Sequence, residues 1–118
     1  MPIYEGINMA IADQRARLLR CIEEPTRLRI LTLLAEGEKY VGEIAEALGE
    51  KEHSLVSRHL GALRKCNVIT GNAKGKRVYY KLSDTRLAEL VNISEVVLRD
   101  IFLYRLEENA NRNAEKPK

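Results

Sequence analysis

The chain has 118 residues and a formal net charge of +3, with 45% hydrophobic, 31% charged and 5% aromatic residues. This is the composition of one helix-rich domain with an aliphatic core, and it excludes a large multidomain enzyme, a collagen-like chain and a disulfide scaffold. Because no apolar run approaches the roughly 20 residues of a membrane span and the two cysteines are too few for a secreted framework, we expect a cytoplasmic protein without a membrane partner.

Two helices are predicted in the first third of the chain. Residues 7–23 carry a narrow apolar stripe at helical spacing, which is typical of a helix that packs against one neighbour or a partner subunit. Pro25 favours the start of a second helix. The segment RLRILTLLAEG that follows is apolar around most of its circumference, so it is predicted to be the central core helix, with Gly37 at its end.

A helix-turn-helix is predicted next, with helices over residues 41–48 and 52–66. The helical wheel places the apolar residues of the second helix on one face. Its opposite face carries small polar and basic residues, namely Ser54, Ser57, Arg58, Gly61 and Lys65. Small residues permit a close approach, and serine and arginine can donate to phosphates and base edges, so this face is predicted to contact DNA.

Basic residues are concentrated around this helix. Residues 51–77 contain seven lysines and arginines against Glu52 alone, a net charge of +6, which leaves −3 for the rest of the chain. A local cationic segment on an otherwise acidic molecule indicates a polyanionic partner bound on one face. A solvated charged surface is the alternative, and the composition of the helix face favours the polyanion.

A β-hairpin follows, with predicted strands over residues 68–70 and 77–82 and a loop over residues 71–76. The tip of this hairpin carries Lys74, Lys76 and Arg77. It is predicted to lie beside the second helix of the helix-turn-helix, the recognition helix over residues 52–66.

A long last helix is predicted over about residues 85–108, and Ser83 or Asp84 can cap it. Together with the first helix it offers the natural dimerisation surface. A single domain over residues 1–108 is therefore expected, and residues 109–118 are expected to form a disordered tail.

Several segments also resemble one known family. EPTRLRILTLL, VGEIAEALG, LVSRHLGALRK and GKRVYYKLSD are similar to sequences of the arsenic-repressor-like (ArsR/SmtB) transcriptional regulators, and the similarity covers roughly residues 18–100. The resemblance implies a mainly α winged helix-turn-helix with a small β-hairpin and with dimerisation helices at both ends. It also implies a homodimer that represses transcription by placing two recognition helices in successive major grooves of an operator, about 34 Å apart.

The resemblance assigns the DNA contacts to particular residues. On the fourth helix they are His53, Ser54, Ser57 and Arg58, with Lys65 on the same face, and on the hairpin they are Lys74, Lys76 and Arg77. The hairpin residues are expected to contact phosphates or the minor groove. His53 stands where many relatives carry glutamine, which puts the sequence preference in doubt at that position. His59 is expected to be half-buried rather than to contact DNA.

Sensors of this family usually bind a metal or metalloid ion at one of two places. A Cys-x-Cys motif would fall on Tyr40 and Gly42, so its thiolates are absent. The other motif, D-x-H-x(10)-H-x(2)-E/D, falls on Asp84, Arg86, Val97 and Asp100. A zinc site without its imidazole ligands is not credible, so no metal site and no cofactor are predicted.

Cys21 and Cys66 leave a thiol-based alternative open. Arg64 and Lys65 precede Cys66 and favour its reactive thiolate form. The two thiols could sense an oxidant, hold a thiophilic ion, or form a disulfide if their Cα atoms come within about 7 Å. The competing interpretation is two small buried apolar residues.

Two other classes of function compete with the DNA-binding regulator. A winged-helix module that binds protein is disfavoured because exposed apolar residues are missing from the fourth helix. An enzyme is not expected, because no pair of nucleophile and base and no phosphate-cradling glycine loop is readable.

Overall fold

The computed structural model describes the backbone of residues 2–115 and, among their side chains, those of residues 10, 11 and 13–115. Five helices are α1 (Pro2–Ile22), α2 (Pro25–Leu34), α3 (Val41–Leu48), α4 (His53–Lys65) and α5 (Arg86–Glu115). Three strands are β1 (Lys39–Tyr40), β2 (Ile69–Lys74) and β3 (Arg77–Leu82), and they form one antiparallel sheet in the order β1-β3-β2. The predicted winged helix-turn-helix with long helices at both ends is confirmed.

Local signals in the sequence account for the ends of the core helices. Pro25 is the first residue of α2, and the side chain of Glu24 caps this helix by accepting a hydrogen bond of 2.9 Å from the backbone N–H of Arg27. Gly49 ends α3 in the left-handed conformation, with φ of +69°. A glycine adopts this conformation without the steric cost that a Cβ imposes.

The core lies where α2, α3 and α4 meet the sheet. Its completely buried side chains include Ile30, Leu31, Ile44, Leu60 and Leu63. Val56, Val68 and Ile69 complete it from α4 and the start of the hairpin. Aliphatic residues thus form the centre, as the low aromatic content predicted.

The hairpin differs from its prediction. The loop expected over residues 71–76 is wrong, because β2 continues to Lys74 and only Gly75 and Lys76 form the turn. Gly75 has a φ of +63°, which glycine adopts readily, and this allows the tight turn. The correction places Lys74 and Arg77 opposite each other as the last pair of the β2–β3 ladder.

The disordered tail expected from residue 109 is also corrected. Helix α5 continues to Glu115, and residues 116–118 lie outside the described part of the chain. Residues 109–115 alternate three asparagines with the good helix formers Ala110, Arg112, Ala114 and Glu115, and the helix continues over them although it buries nothing. No helix in the described part of the chain is both long and apolar enough to cross a membrane.

Helices α1 and α5 extend away from the body of the molecule. The radius of gyration is 19.3 Å, whereas a compact domain of this length has about 13.5 Å. Helix α5 contains no buried residue, and large apolar side chains such as those of Leu98 and Phe102 are 66% and 59% exposed. An apolar surface of this extent marks an interaction site on a protein in water.

Candidate nucleic-acid interface

Helix α4 presents one polar face to solvent and buries the other. Val56, Leu60 and Leu63 lie in the core. The exposed residues include every one predicted for DNA contact on this helix, namely His53, Ser54, Ser57, Arg58 and Lys65. All five residues are exposed; the helical wheel predicted this for Ser54, Ser57, Arg58 and Lys65, whereas His53 was expected only from the family resemblance.

Gly61 lies in the middle of this exposed face. A Cβ placed on Gly61 would meet no atom of the protein within 4 Å, so the fold does not require glycine there. Glycine in a helix interior lowers helix stability by roughly 0.5–1 kcal/mol relative to alanine. Its presence is consistent with the close approach of another molecule to the helix backbone.

A polar network fixes α4 against the junction of α1 and α2. The Nε of Arg27 donates to Nδ1 of His59 at 3.3 Å, and its Nη1 donates to the carbonyl oxygen of Cys21 at 3.0 Å. Glu24 Oε2 lies 3.6 Å from the same His59 nitrogen. Burial opposes ionisation of Glu24, but hydrogen bonds from the backbone of Arg27 and Thr26 and the nearby His59 together lower its pKa. His59 is thus half-buried and anchors the helix.

The three cationic side chains of the hairpin, Lys74, Lys76 and Arg77, differ in their contacts with the rest of the protein. Lys74 donates a hydrogen bond of 2.6 Å to Glu38 and lies 5.3 Å from the centre of the Tyr79 ring. The guanidinium carbon of Arg77 lies 4.1 Å from the centre of the Tyr40 ring, a cation–π distance. Lys76 in the turn has no ion-pair partner among the residues that the structure describes.

Aromatic packing occupies the place where the family's Cys-x-Cys motif would lie. Tyr40 packs edge-on against Tyr79 with ring centres 5.7 Å apart. Its ring also lies over Gly42, where an added Cβ would come within 2.7 Å of Tyr40 Cε2. These residues hold the middle of strand β3 against the start of α3, and none of them is a metal ligand of the thiolate type.

The second family motif falls on residues that are engaged otherwise. Asp84 accepts hydrogen bonds from the side chain and from the backbone N–H of Arg86 at the start of α5, and these lower its pKa to about 2. Asp84 therefore acts at the helix start as predicted, and Asp100 is exposed. The described residues include no group of three His, Cys, Asp or Glu placed to hold a metal ion.

Cys21 and Cys66 lie together behind the candidate interface. Their Cα atoms are 6.5 Å apart and their sulfur atoms form a disulfide between the end of α1 and the end of α4. Among the alternatives that the sequence left open for these two cysteines, the structure contains the disulfide, whose condition was a Cα separation within about 7 Å.

Three residues near the hairpin were missed by sequence reasoning. Glu38, Tyr40 and Tyr79 hold the cations of the hairpin in place. The alternation in RVYYKL puts Arg77 and Tyr79 on the same face of a strand. Because Lys74 pairs with Arg77 across the hairpin, the contact between Lys74 and Tyr79 could have been expected. Tyr40 could not, because β1 has only two residues and carries no periodic signal.

Comparisons with known proteins place the chain among DNA-binding regulators. A profile described as bacterial regulatory protein, arsR family, matches residues 24–70. The HTH-type transcriptional regulator CmtR of Mycobacterium tuberculosis is 43% identical over 84 residues, which are 70% of this chain and 70% of CmtR. The biofilm growth-associated repressor of Xylella fastidiosa is 35% identical over 81 residues, 69% of this chain and 70% of that protein.

Solved structures agree with the sequence relatives. The solution structure of a homodimeric winged helix-turn-helix DNA-binding domain from Mycobacterium bovis, a possible ArsR-family regulator, matches with a TM-score of 0.73 and 32% identity. The match covers 82% of this chain and 89% of that one.

Proposed function

Because this chain belongs to the ArsR family of bacterial regulatory proteins, we propose that it is a homodimeric repressor that binds a specific DNA sequence through α4 and the hairpin. At the coarser level it is a DNA-binding regulator of transcription and not an enzyme. The proposal adds three points to this: the residues that contact DNA, the dimer, and independence from the two usual metal positions of the family.

The exposed face of α4 is the observation that carries the proposal. The side chain of Arg58 has neither a hydrogen bond nor an ion pair among the described residues, although it lies on a structured helix. A free guanidinium can bind guanine O6 and N7 in the major groove with two hydrogen bonds. Ser54 and Ser57 flank it with hydroxyl groups that can donate to phosphates. Gly61 leaves room for the DNA beside them.

The hairpin supplies the flanking contacts in this proposal. Lys76 is in the turn and is free to approach phosphates, which bind lysine as a point charge. Lys74 and Arg77 contact DNA from defined positions, since Glu38 and Tyr40 hold them beside the sheet. His53 and Lys65 extend the same surface along α4.

The dimer is assigned to α1 and α5. Both helices extend from the body, and α5 exposes an apolar row that includes Leu90, Val97 and Ile101. A two-fold dimer would present two α4 helices to one duplex, which matches an operator with two half-sites. The homodimeric state of the Mycobacterium bovis domain supports this arrangement.

The proposal includes independence from the two usual metal positions of the family. Tyr40 and Gly42 replace one ligand set, and Arg86 and Val97 replace the imidazoles of the other. The disulfide form of the protein offers no free thiol to a metal ion. Titration of this form with Zn²⁺ should therefore leave its operator affinity unchanged. Release of the DNA by stoichiometric Zn²⁺ would show that a metal site exists elsewhere.

A fluorescence-anisotropy titration tests the DNA function. The reduced protein is titrated into labelled DNA from upstream of its own gene, and a shuffled duplex of the same length and composition serves as control. We expect tighter binding to the upstream DNA and a steep loss of affinity with salt, since several phosphates are neutralised in each dimer. Equal, weak binding to both duplexes would contradict a specific repressor and favour a winged-helix module that binds protein.

A further inference from the structure

Cys21 and Cys66 connect the candidate dimer helix to the candidate recognition helix. Cys21 lies in the last turn of α1, and Cys66 is the residue that ends α4. They are 45 positions apart in sequence, and their Cα separation of 6.5 Å lies within the range that a disulfide spans. A bond between them fixes the end of α4 to α1.

The two cysteines differ in their accessibility. Cys21 is only 5% exposed and belongs to the hydrophobic core, whereas Cys66 is exposed. Cys66 also lines a surface cleft of about 360 Å³ between α1 and the first turns of α5, where Leu18 and Leu87 form apolar walls and Arg86 a polar rim. A reagent from solvent therefore reaches Cys66 more readily than Cys21.

The surroundings of Cys21 also suit the reduced state. Its sulfur lies 3.7 Å from the carbonyl oxygen of Ala62 on α4, so a thiol at this position can donate a weak hydrogen bond there. Opening the disulfide consequently leaves no polar group without a partner in the core. Both redox states are compatible with the same fold, as a reversible switch requires.

We propose that Cys66 and Cys21 form a thiol–disulfide switch that responds to low-molecular-weight disulfides and lowers operator affinity when it is oxidised. This inference rests on the proposed DNA contact of α4, because it concerns the regulation of that same surface. Cys66 is the residue that the disulfide attacks from the cleft, and Cys21 is the resolving residue beneath it.

The reaction consists of two exchange steps. The Cys66 thiolate attacks one sulfur of the incoming disulfide RSSR, whose S–S bond breaks, and one thiol RSH leaves after taking up the proton that Cys66 lost. The Cys21 thiol then loses its proton and attacks Cys66 Sγ, and the second RSH leaves with that proton. Two protein thiols are oxidised by two electrons, and RSSR is reduced to two RSH.

The effect on DNA binding follows from the position of the bond. In a dimer that is held by α1 and α5, the disulfide fixes the end of each α4 relative to the dimer interface. Two recognition helices must adjust to successive major grooves, and a crosslink at their ends restricts that adjustment. An ordinary coupling free energy between disulfide formation and DNA binding corresponds to about a tenfold loss of operator affinity in the oxidised protein.

The test compares operator affinity and thiol state in glutathione redox buffers. Protein equilibrated with reduced glutathione or with glutathione disulfide is titrated into the upstream DNA, and mass spectrometry of the same samples records the disulfide. We expect about tenfold weaker binding in the oxidised sample and full recovery on reduction. Cys66→Ser, at an exposed position, should bind like the reduced protein in both buffers. Equal or tighter binding by the oxidised wild-type protein would overturn the switch.

Two further readouts do not depend on DNA. Cys21→Ala should stop at the first exchange step and retain a glutathione adduct on Cys66, whereas Cys66→Ser should retain none on Cys21. In the reduced wild-type protein, brief iodoacetamide treatment should alkylate Cys66 well before Cys21. Faster labelling of Cys21 would contradict the assigned order of attack. If the reduced protein and both variants react as expected but bind no DNA, the DNA function has failed and the thiol chemistry has not.

Discussion

The basic residues of the candidate interface differ in what else they bind. Lys74 is paired with Glu38 and Arg77 lies over Tyr40, so both are positioned by the protein itself. Arg58, Lys65 and Lys76 have no ion-pair partner in the part of the chain that the structure describes. A free cation can bind a phosphate or a base without giving up an internal contact, so these three residues lose least when DNA binds.

Arg58→Ala should weaken operator binding by about 1–3 kcal/mol, the value of a two-hydrogen-bond contact to a base. The fold should be unaffected, because Arg58 is exposed and contributes nothing to the core. Anisotropy titration and thermal unfolding measure the two effects. Arg29→Ala, which removes an exposed arginine from α2, is the control for net charge. Equal losses in both variants would remove Arg58 from the DNA-binding site.

Asp84 predicts a pH dependence of stability at the start of α5. Hydrogen bonds from Arg86 hold the pKa of Asp84 at about 2, below its value in the unfolded chain. A lowered pKa stabilises the fold above the unfolded value of about 3.9, and this stabilisation is lost as the pH falls toward 2. Wild type should therefore be more stable than Asp84→Ala at pH 6, and the difference should shrink below pH 4. Urea unfolding at each pH measures this, and a difference that grows on acidification would contradict it.

At the scale of elements, α4 is determined by its two faces. Three completely buried aliphatic residues fix its orientation, and the hydrogen bond from Arg27 to His59 fixes its middle. The outer face is then free to vary in composition without affecting the fold. Its small and basic residues are therefore best explained by what binds there.

Gly61→Ala separates the requirements of folding from those of binding. The added methyl group meets open space in the protein, so helix propensity should raise the free energy of unfolding by about 0.5–1 kcal/mol. The same methyl group would crowd a DNA backbone packed against α4, at a cost of about 1 kcal/mol or more. Urea unfolding and anisotropy measure the two quantities on one sample. A more stable variant with unchanged affinity would show that the DNA does not approach closely at Gly61.

The sequence predicted the local elements well because their signals are local. The apolar spacing and Gly49 predicted α3 over its observed residues, and the wheel of α4 separated its buried and exposed faces correctly. The Cys21–Cys66 contact and the Glu38–Lys74 pair join residues that are 45 and 36 positions apart in the sequence. A periodic pattern of apolar residues predicts local elements, but it does not predict contacts between residues so far apart. The extent of α5 was missed for another reason, since good helix formers continued it where burial gave no signal.

At the scale of the whole molecule, the two long helices are the feature that an isolated chain leaves unexplained. The molecule extends over 68 × 49 × 21 Å because α1 and α5 leave the body. Their exposed apolar side chains would be costly in water and are well placed to be buried against a second copy. The shape of the chain therefore supports a dimer with two α4 helices on a common surface.

Ile101→Asp should disrupt this dimer. Ile101 is 50% exposed on the apolar row of α5, and a charge buried in an interface is strongly destabilising unless it is paired. Sedimentation should give a single chain of 13.5 kDa for the variant and twice that mass for the wild type. Asn92→Asp places the same charge on the opposite face of α5 and should remain dimeric. A dimeric Ile101→Asp would show that the interface lies elsewhere.

Hydrogen–deuterium exchange of the reduced protein with and without its upstream DNA tests the central claim most directly. The claim is that the exposed face of α4 and the tip of the hairpin bind the duplex. We expect slower exchange on DNA binding in peptides from residues 53–65 and 74–77, with little change in the second half of α5. Protection confined to α1 or α5, with α4 and the hairpin unchanged, would contradict the account.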